Sequence, residues 1–545
     1  MLSEQDLYKI KEIISNSQEI DTKSKNELLD KFNKSNLNGY GLNFVRSIED
    51  VEKKTYPYNK DKFIFLNDDT EKEIFKGEDL TNNIIFEGDN LESLKVLNST
   101  HKGKIDIIYI DPPYNTGNKD FVYNDSFVSN DDGFRHSKWL SFMEKRLKLA
   151  YNLLSKEGVI FISIDDNEQA NLKLLCDSIF GESNFIADMI WENKYTVSND
   201  KVNGITTQHE HILCYSKKEF IAKPRELRED YVNSTYIYDD NDGRGKYRIV
   251  PLYKKKNPKS YTITSPKGVD FNYPWNYSES NMQKLIAENK IYWGKNAKSI
   301  PSKKVYLSES KGRGYGSLLL GEDVGYSSTG GSDFVNLGFD KNLFSYPKPT
   351  KLIKYLINIH SNKNATVLDF FAGSGTTGHA VLELNKEDDG NRQFILCTNN
   401  ENNICEEVTY QRLSKVINGY TTPKGKVVEG IPANLNYFKV DYIDTNEVYD
   451  FSDVDVIPYI ELKEGVRYNC VDNFEYCSSK NKYVFLVGIE DDMLKVQEFL
   501  QNNSEKEVII YCNSQSIKNK YFNTEFYPLF KSIDKDTILN ISKYK

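Results

Sequence analysis

Residues 105–116 read Ile-Asp-Ile-Ile-Tyr-Ile-Asp-Pro-Pro-Tyr-Asn-Thr, and this stretch decides the fold of the chain. Its apolar run, residues 107–110, is short and rich in β-branched side chains, which is typical of a strand buried on both faces of a parallel sheet. Pro112 and Pro113 follow, and because neither has a backbone N–H group the hydrogen-bonded ladder must end there. The stretch therefore predicts a rigid corner at the carboxyl end of a central strand, where open α/β sheets bind ligands.

The side chains of this corner suit one kind of chemistry. Asp111 offers a carboxylate, the carbonyl group of Pro112 is a second acceptor, and Tyr114 adds a flat aromatic face. An amino group on an aromatic ring is a poor nucleophile, but two acceptors that bind its hydrogens favour a pyramidal nitrogen and stabilise the charge that develops as it attacks. Asp111, Pro112, Pro113 and Tyr114 are therefore candidate catalytic residues acting on the amino group of adenine or cytosine. The alternative is a strand-ending turn with a packed tyrosine.

A second motif combines a strand, a glycine-rich turn and a helix. Its turn reads Ala-Gly-Ser-Gly-Thr-Thr-Gly, directly after an apolar strand with Asp369 and Phe371 near its end. Gly373 and Gly375 allow the backbone to approach a ligand closely, and the N-terminus of the helix offers free N–H groups. Glu401 follows the next strand at roughly the spacing of an acidic residue that binds a ribose. The motif predicts a second ligand site.

Strands and helices alternate along two separate parts of the chain. This rhythm predicts an α/β fold with a doubly wound, mostly parallel sheet, interrupted by a long insertion in which the rhythm is lost. The predicted domains are an N-terminal helical docking segment (1–80), a catalytic half (81–220), a basic, aromatic insertion (221–340), a cofactor-binding half (341–435) and a small acidic α/β domain for dimer or partner contacts (436–545).

Charge is distributed unevenly along the chain. The net charge is −9, yet residues 241–311 contain 15 Lys or Arg against 5 Asp or Glu, a net of +10. Basic side chains interleaved with planar rings suit contacts to nucleic acid, whereas an ordinary β-rich insertion with a solvated basic face is the alternative. The predicted DNA contacts are Lys254, Lys255, Lys256, Lys259, Tyr273 and Trp275.

Other features favour a soluble cytoplasmic protein without a metal. The seven cysteines are scattered and include no Cys-x-x-Cys pair, so we expect reduced thiols. His209 and His211 are two residues apart and would share one face of a strand, but no third ligand is evident nearby in the sequence. There is no apolar run long enough for a membrane helix and no secretion signal at the N-terminus.

Together the two motifs resemble those of amino-group DNA methyltransferases. Asp-Pro-Pro-Tyr at 111–114 is similar to their catalytic motif, and Phe-Ala-Gly-Ser-Gly at 371–375 to their S-adenosylmethionine motif. The catalytic motif comes first and the basic insertion lies between the two, an order that resembles the β class, in which the sheet is circularly permuted. Further segments resemble the modification (Mod) subunit of type III restriction–modification systems: residues 111–117, 121–125, 139–147, 164–168, 346–349 and 399–401.

The resemblance implies a Rossmann-like methyltransferase that transfers methyl from S-adenosylmethionine to a flipped adenine in a short asymmetric site of double-stranded DNA, without a metal. It also implies that 221–340 is the target-recognition domain, and that the protein is a bacterial homodimer with a possible ATP-dependent restriction (Res) partner. Asp111, the Pro112 carbonyl and Tyr114 would hold the adenine. The implied cofactor-binding residues are Asp89, Asn90, Lys348, Asp369, Phe371, Ala372, Gly373, Gly375, Thr376 and Glu401.

Three of these residues receive specific roles from the resemblance. Asp89 would lie near the adenine of the cofactor, Glu401 near its ribose, and Lys348 near its methionine carboxylate unless it is simply solvated. Two other functions stay open. The corner would serve a cytosine-N4 methyltransferase equally well, and a non-catalytic DNA-recognition subunit could carry vestigial motifs.

Overall fold

The computed structural model describes most of the chain from residue 62 onwards. The described residues are 62–117, 122–123, 126–127, 134–197, 204–253, 260–294, 296–297, 299–444, 457–471, 474–487, 490–501, 503, 506–512 and 529–531. Residues 1–61, which make up most of the predicted N-terminal helical docking segment, lie outside this part.

Strands and helices alternate as expected. In chain order the strands are β1 (Lys62–Asp68), β2 (Asn82–Glu87), β3 (Ile105–Ile110), β4 (Val122–Tyr123), β5 (Ser126–Phe127), β6 (Leu154–Ile164), β7 (Phe185–Glu192), β8 (His209–Ser216), β9 (Tyr247–Pro251), β10 (Tyr261–Thr264), β11 (Asp270–Tyr273), β12 (Ile291–Tyr292), β13 (Ser302–Tyr306), β14 (Leu318–Leu319), β15 (Thr366–Asp369), β16 (Gln393–Thr398), β17 (Gly419–Thr421), β18 (Val427–Glu429), β19 (Asn434–Asp444), β20 (Arg467–Val471), β21 (Phe474–Ser478), β22 (Lys482–Val487), β23 (Glu507–Cys512) and β24 (Leu529–Lys531).

The helices lie mainly between the strands of the central sheet. They are α1 (Asn90–Thr100), α2 (Arg135–Leu153), α3 (Gln169–Phe180), α4 (Glu229–Thr235), α5 (Glu279–Ala287), α6 (Gly321–Val324), α7 (Ser327–Asn336), α8 (Thr350–Ile357), α9 (Thr376–Asp388), α10 (Gln411–Asn418), α11 (Ile457–Glu464) and α12 (Glu490–Gln501). Among the described residues, no helix is both long and apolar enough to cross a membrane.

A ten-stranded sheet forms the centre of the molecule, in the order β1-β19-β2-β16-β15-β3-β6-β8-β7-β14. The strands from β19 to β6 are parallel to one another, whereas β1 and β8 are antiparallel to their neighbours. This arrangement confirms the predicted α/β fold with a mostly parallel, doubly wound sheet.

Apolar side chains cover both faces of this sheet. In β3, Ile108 and Ile110 point into a core shared with α1, α2 and α3, while Ile107 and Tyr109 point into a second core shared with α8, α9 and α10. Burial on both faces explains why the strand is a continuous apolar run. Its neighbour β15 is far away in sequence but pairs with it directly, Val367 opposite Ile107. The two sequence motifs therefore end at the same edge of the sheet.

The insertion is shorter than predicted. Its entry and exit strands meet at a bridge between Arg225 and Arg313, whereas β14, α6 and α7 pack on the central sheet through Leu319, Val324 and Phe334. The predicted boundary at 340 is therefore wrong for residues 318–339, because their apolar side chains belong to the core of the sheet. Between the two arginines, residues of β10, β11, β12 and α5 form a separate core with Leu252, which follows β9.

The outer boundaries also differ from the prediction. Strand β1 lies inside the predicted docking segment, yet it pairs with β19 at the edge of the central sheet, and β19 itself crosses the predicted boundary at residue 435. Beyond residue 457 the predicted small α/β domain has a five-stranded sheet, β20-β21-β22-β23-β24. Helix α11 joins this domain to the body, because Tyr459 and Leu462 enter the core of the central sheet.

Candidate active site

The Asp-Pro-Pro-Tyr corner is anchored from beneath by buried side chains. Strand β3 ends at Ile110, and the carbonyl group of Pro113 accepts a 2.7 Å hydrogen bond from the indole of Trp139. Asn115 adopts a left-handed conformation, with φ of 57°, and its buried amide donates to Glu168 at 2.6 Å. These contacts fix the corner against α2 and the start of α3.

Four polar side chains meet above the corner: Asp111, Tyr114, Glu210 and Lys348, called the corner cluster below. The Tyr114 hydroxyl lies 2.9 Å from Asp111 Oδ1 and 2.9 Å from Glu210 Oε2, so it can donate to either carboxylate. The Lys348 ammonium donates to the Tyr114 oxygen at 2.7 Å. It also lies 3.0 Å from Asp111 Oδ1 and 3.1 Å from Glu210 Oε2. One cation thus serves two carboxylates and a phenol.

Electrostatics separate the two carboxyl groups of the corner cluster. Burial raises the pKa of Asp111, and Glu210 adds to this effect while Lys348 opposes it. Burial also acts to raise the pKa of Glu210, but Lys348, Asn193 and Tyr114 outweigh it and hold that pKa below its usual value. Asp111 is therefore the carboxylate that more readily accepts a proton. For Lys348 the two carboxylates outweigh burial and raise its pKa, so it stays charged.

Two members of the corner cluster differ from the sequence prediction. Lys348 was expected near the methionine carboxylate of a cofactor, but its ammonium lies in the corner; only its backbone carbonyl reaches the glycine-rich loop, accepting a 3.4 Å hydrogen bond from Thr376. Glu210 was not predicted at all. Its place follows from the pairing of β8, which is antiparallel to β6. The first residues of β8 therefore lie at the edge of the sheet where β3 and β6 end.

The glycine-rich loop follows β15 at the same edge. Gly373 and Gly375 have φ of 49° and 73°, and a Cβ atom on Gly375 would lie 3.2 Å from Cγ2 of Thr409. The hydroxyl of Thr409 also donates to the Gly373 carbonyl at 2.6 Å. Left-handed backbone and close packing both require glycine here. The predicted Ala372 lies buried within the loop, and its N–H group donates to Cys397 of β16 at 3.1 Å.

Asp369 supports this loop from within. It is 2 % exposed, and its two oxygens accept hydrogen bonds from the Phe371 amide at 3.0 Å and the Thr377 hydroxyl at 2.5 Å. Burial raises its pKa to about 7, although both hydrogen bonds act to lower it. The side chain was predicted to line a cofactor pocket, but its oxygens are engaged with the loop itself.

A buried arginine, which the sequence analysis missed, lies under the start of α9. Arg412 donates to the Thr376 hydroxyl at 2.8 Å and to the Ser374 hydroxyl at 3.2 Å. It is fully buried, and burial lowers its pKa to about 10. The predicted residue Thr376 is therefore held from inside the protein.

On the far side of the loop, Asp89 and Asn90 come close to Phe371. Asp89 caps α1 by accepting from the Leu91 amide, and Asn90 donates to the Phe370 carbonyl at 2.7 Å. Arg146, a second residue not predicted, donates to Asn90 at 2.6 Å and lies 3.4 Å from Asp89. Its guanidinium lies over the ring of Phe142, which in turn packs against Phe371 at 6.0 Å between ring centroids. Its sequence signal was a charged residue on the otherwise apolar face of α2.

Of the remaining predicted residues, the structure describes Glu401, Trp275 and Tyr273. Glu401 is exposed in a 3-10 turn after β16. Trp275 is 1 % exposed in the core of the insertion, where its indole donates to the Tyr261 carbonyl at 2.8 Å, so the prediction that its ring contacts DNA is wrong. Tyr273 is half-buried against Trp275 and Tyr253. Lys254, Lys255, Lys256 and Lys259 lie outside the described residues.

Comparisons with known proteins identify relatives of this chain among DNA-modifying enzymes. The Mod subunit of the type III enzyme StyLTI from Salmonella typhimurium is 39% identical over 62% of this chain, but the match spans only 56% of that relative. The Mod subunit of EcoPI from Escherichia phage P1 is 27% identical, over 92% of this chain and 91% of its own. The type II methyltransferase M.KpnI from Klebsiella pneumoniae is 32% identical over 67% of this chain and 92% of its own. The matches to the StyLTI and EcoPI subunits confirm the resemblance to type III Mod subunits.

A family profile covers the segment that contains both motifs. Residues 105–410 match the N6/N4 methyltransferase family, described as DNA methylase. The matched segment runs from β3, through the corner cluster and the glycine-rich loop, to Tyr410 directly before α10, and it makes up more than half of the chain. The protein therefore belongs to the DNA methylase family.

Proposed function

We propose that this DNA methyltransferase acts on the N6 amino group of adenine in a short asymmetric site, with S-adenosylmethionine as methyl donor, as the modification subunit of a type III restriction–modification system. The observation that carries the proposal is the pairing of β3 with β15, which sets the corner cluster beside the glycine-rich loop. A base held by the corner and a methyl donor held by the loop would be neighbours, as direct transfer requires.

The residues around the loop fit S-adenosylmethionine. The left-handed backbone of Gly373 and Gly375 would shape the loop around the methionine part, and the ring of Phe371 and the carboxylate of Asp89 would contact the adenosine. When bound, this cofactor supplies an electrophilic methyl group on a sulfonium and leaves as a neutral thioether. Glu401 stays a proposed ribose contact.

The target adenine would reach the corner by rotating out of the duplex. Rotation costs a few kcal/mol, which stacking on the ring of Tyr114 would partly offset. Asp111 and the carbonyl of Pro112 would then accept the two hydrogens of the amino group. Because Lys348 and the Tyr114 hydroxyl both contact Asp111 Oδ1, the carboxylate must exchange these partners for the base.

The corner cluster also offers a place for the proton that the amino group loses. Attack on the methyl group leaves a positively charged, methylated amino group, which becomes neutral by giving one proton to Asp111. Burial raises the pKa of Asp111 and so favours this transfer. The proton would stay on Asp111 rather than pass to Glu210, because Lys348, Asn193 and Tyr114 hold the pKa of Glu210 below its usual value.

The partners and the insertion extend the proposal. We infer that the insertion between Arg225 and Arg313 recognises the target sequence, that two copies form a homodimer, and that an ATP-dependent restriction subunit acts with it in the bacterial cytoplasm. The high positive charge of residues 241–311 supports the recognition role of the insertion, and the names of the StyLTI and EcoPI relatives, both subunits of type III enzymes, support a restriction partner.

Base-resolution methylation sequencing tests the activity. DNA from cells expressing the wild-type chain should contain N6-methyladenine on one strand of a short asymmetric site, and DNA from cells expressing Asp111→Ala should contain none. If methylcytosine is found instead, the target base is cytosine rather than adenine. Equally abundant Asp111→Ala should still bind S-adenosylmethionine with nearly wild-type affinity in calorimetry. Loss of that binding would contradict the separation of corner and loop.

The DNA-binding role of the insertion needs its own test. Replacing Lys254, Lys255, Lys256 and Lys259 by alanine should weaken DNA binding and flatten its dependence on salt, because fewer counterions are released. Lys495→Ala, an exposed lysine on α12 in the C-terminal domain, is the control that should keep the wild-type slope. An unchanged slope in the quadruple variant would place the DNA contacts elsewhere.

A further inference from the structure

A cluster of three metal-binding side chains lies beside the corner, on the outer part of the same sheet edge. His209 and His211 are the first and third residues of β8 and share one of its faces, while Glu210 between them points into the corner cluster. Asp166 follows β6. Its Oδ1 lies 3.2 Å from Nε2 of His211 and 4.0 Å from Nε2 of His209. All three potential ligand atoms lie within 4.8 Å of one another.

Two of the three side chains are oriented by further hydrogen bonds. Nδ1 of His211 lies 3.0 Å from a carboxylate oxygen of Asp188, and the amide of Gln169 donates to that same oxygen at 2.8 Å. The hydroxyl of Thr207 lies 3.4 Å from Oδ2 of Asp166, which leaves Oδ1 directed at the histidines. A carboxylate that binds the second nitrogen of a histidine is the usual support for a metal-ligating imidazole, because it fixes the tautomer with a lone pair on Nε2.

We propose that Asp166, His209 and His211 bind one divalent metal ion of the zinc class. Two imidazole nitrogens and one carboxylate oxygen are ligands that zinc accepts, and a tetrahedral site places its ligand atoms roughly 3.4 Å apart. The distances of 3.2 and 4.0 Å from Asp166 Oδ1 to the two histidines lie on either side of this value. His209 and Asp166 are 40% and 59% exposed, so a fourth position is open to water. In the metal-free protein a proton on Nε2 of His211 would bind Asp166, and the metal takes the place of that proton.

The proposed ion is separate from methyl transfer but adjacent to it. It would tie the start of β8 to the loop after β6, and the residue between its two histidine ligands is Glu210. Binding would therefore stiffen the backbone that presents Glu210 to Tyr114 and Lys348. A third ligand is not evident from the sequence, because Asp166 comes from a distant segment and reaches the histidines only through the antiparallel pairing of β6 with β8.

Titration of the chelator-treated full-length protein with Zn²⁺ in a calorimeter tests the site. We expect one equivalent to bind, and we expect no binding to the His209→Ala/His211→Ala double variant. His136→Ala is the control: the side chain of His136 is 45% exposed, pairs with Glu168 and is not one of the three ligands, so this variant should bind Zn²⁺ like the wild type. Asp188→Asn should weaken binding roughly 10- to 100-fold by removing the support of His211.

Co²⁺ in place of Zn²⁺ identifies the ligands. Visible absorption typical of nitrogen and oxygen ligands should appear with the wild type and be lost in the double variant. Three results would overturn the proposal: no bound Zn²⁺, equal binding by the double variant, or the intense near-ultraviolet absorption of cobalt bound to cysteine thiolates. Circular dichroism of the double variant establishes that it is folded, so that lost binding reports on the ligands.

Discussion

Lys348 holds the place that a substrate amino group would need. Its nitrogen lies 3.0 Å from Asp111 Oδ1, the separation expected for an amino group that donates to that carboxylate. The ammonium also resembles the positively charged nitrogen that forms during methylation. It therefore keeps Asp111 ionised and correctly oriented before the base arrives, and Glu210 offers it an alternative partner once the base has entered.

This role predicts a change in pH dependence for Lys348→Met. Asp111 must be ionised to accept a proton, so kcat/KM should rise with pH as Asp111 loses its proton. Burial already raises the pKa of Asp111, and loss of the neighbouring cation should raise it further, by about 1 unit or more. The acidic limb of the pH profile of kcat/KM should therefore move to higher pH, with lower activity at neutral pH.

Lys351→Met is the matched control for this measurement. Lys351 is the second residue of α8, three positions after Lys348. Its ammonium is exposed and, among the described residues, contacts only the carbonyl of Glu322. Its profile should coincide with that of the wild type. If the acidic limb of Lys348→Met also stays in place while the protein remains folded, Lys348 does not control the ionisation of Asp111.

At the scale of single residues, functional side chains that are close together in the sequence could be predicted, whereas those that the fold brings together from distant segments could not. Asp111 and Tyr114 stand within four residues and could be recognised together. Glu210 and Lys348 join them only because β8 and the segment before α8 reach the same sheet edge. Arg412 shares the buried face of α10 with Leu413 and Val416, but only the fold shows that this face lies under the start of α9.

At the scale of elements, the glycine-rich turn and α9 depend on a backbone conformation that only glycine adopts easily. Gly375→Ala should weaken S-adenosylmethionine binding roughly tenfold or more. The positive φ of 73° alone costs about 1–2 kcal/mol for alanine, and the new Cβ would press on Thr409. Calorimetry with the cofactor measures the effect.

Gly268→Ala separates backbone strain in general from strain in this loop. Gly268 has a similar φ of 75°, has open space around it, and lies in the insertion hairpin between β10 and β11. The variant should lose some stability but keep wild-type cofactor affinity. Equal affinities for Gly375→Ala and the wild type would show that the loop does not form the cofactor site.

Most strands and helices could be predicted from local patterns, but the pairing partner of each strand in the sheet could not. The apolar runs of β3, β6 and β15 each indicate a buried strand by themselves. The edge strand β1 was not predicted, because its pairing with β19 joins segments at opposite ends of the domain. The short strand β14 could not be predicted either, since only its pairing with β7 defines it as a strand.

At the scale of the whole molecule, an acidic cluster lies where the C-terminal domain meets the body. Carboxylate oxygens of Asp68, Glu73 and Glu461 lie within 4.8 Å of one another. Glu461 is 3 % exposed, and burial together with the neighbouring acids raises its pKa to about 8, although the Tyr468 amide donates to it. Arg467 pairs with Glu73 at 2.8 Å. The junction therefore contains a carboxyl group that stays protonated at neutral pH.

This carboxyl group predicts a loss of stability as pH rises. Unfolded, Glu461 would release its proton near its ordinary pKa of 4.5; folded, it holds the proton up to about pH 8. Its contribution is thus complete at acidic pH and declines across this window by roughly 3–5 kcal/mol. Residue 461 cannot ionise in Glu461→Gln. The unfolding temperature of this variant should therefore rise relative to that of the wild type as pH is raised from about 5 to about 8.

Glu464→Gln, one turn further along α11, should behave in the opposite way. Lys531 and Tyr511 bind the Glu464 carboxylate at 2.7 and 2.6 Å and outweigh burial, so its pKa is lowered. Stability from Glu464 is therefore present above its ordinary pKa and lost as pH falls through the lowered value. Glu464→Gln should be less stable than the wild type at neutral pH, and the difference should shrink in acid. Calorimetric unfolding of both variants across pH tests this sign reversal; parallel pH curves for the two would contradict the assigned charges at the junction.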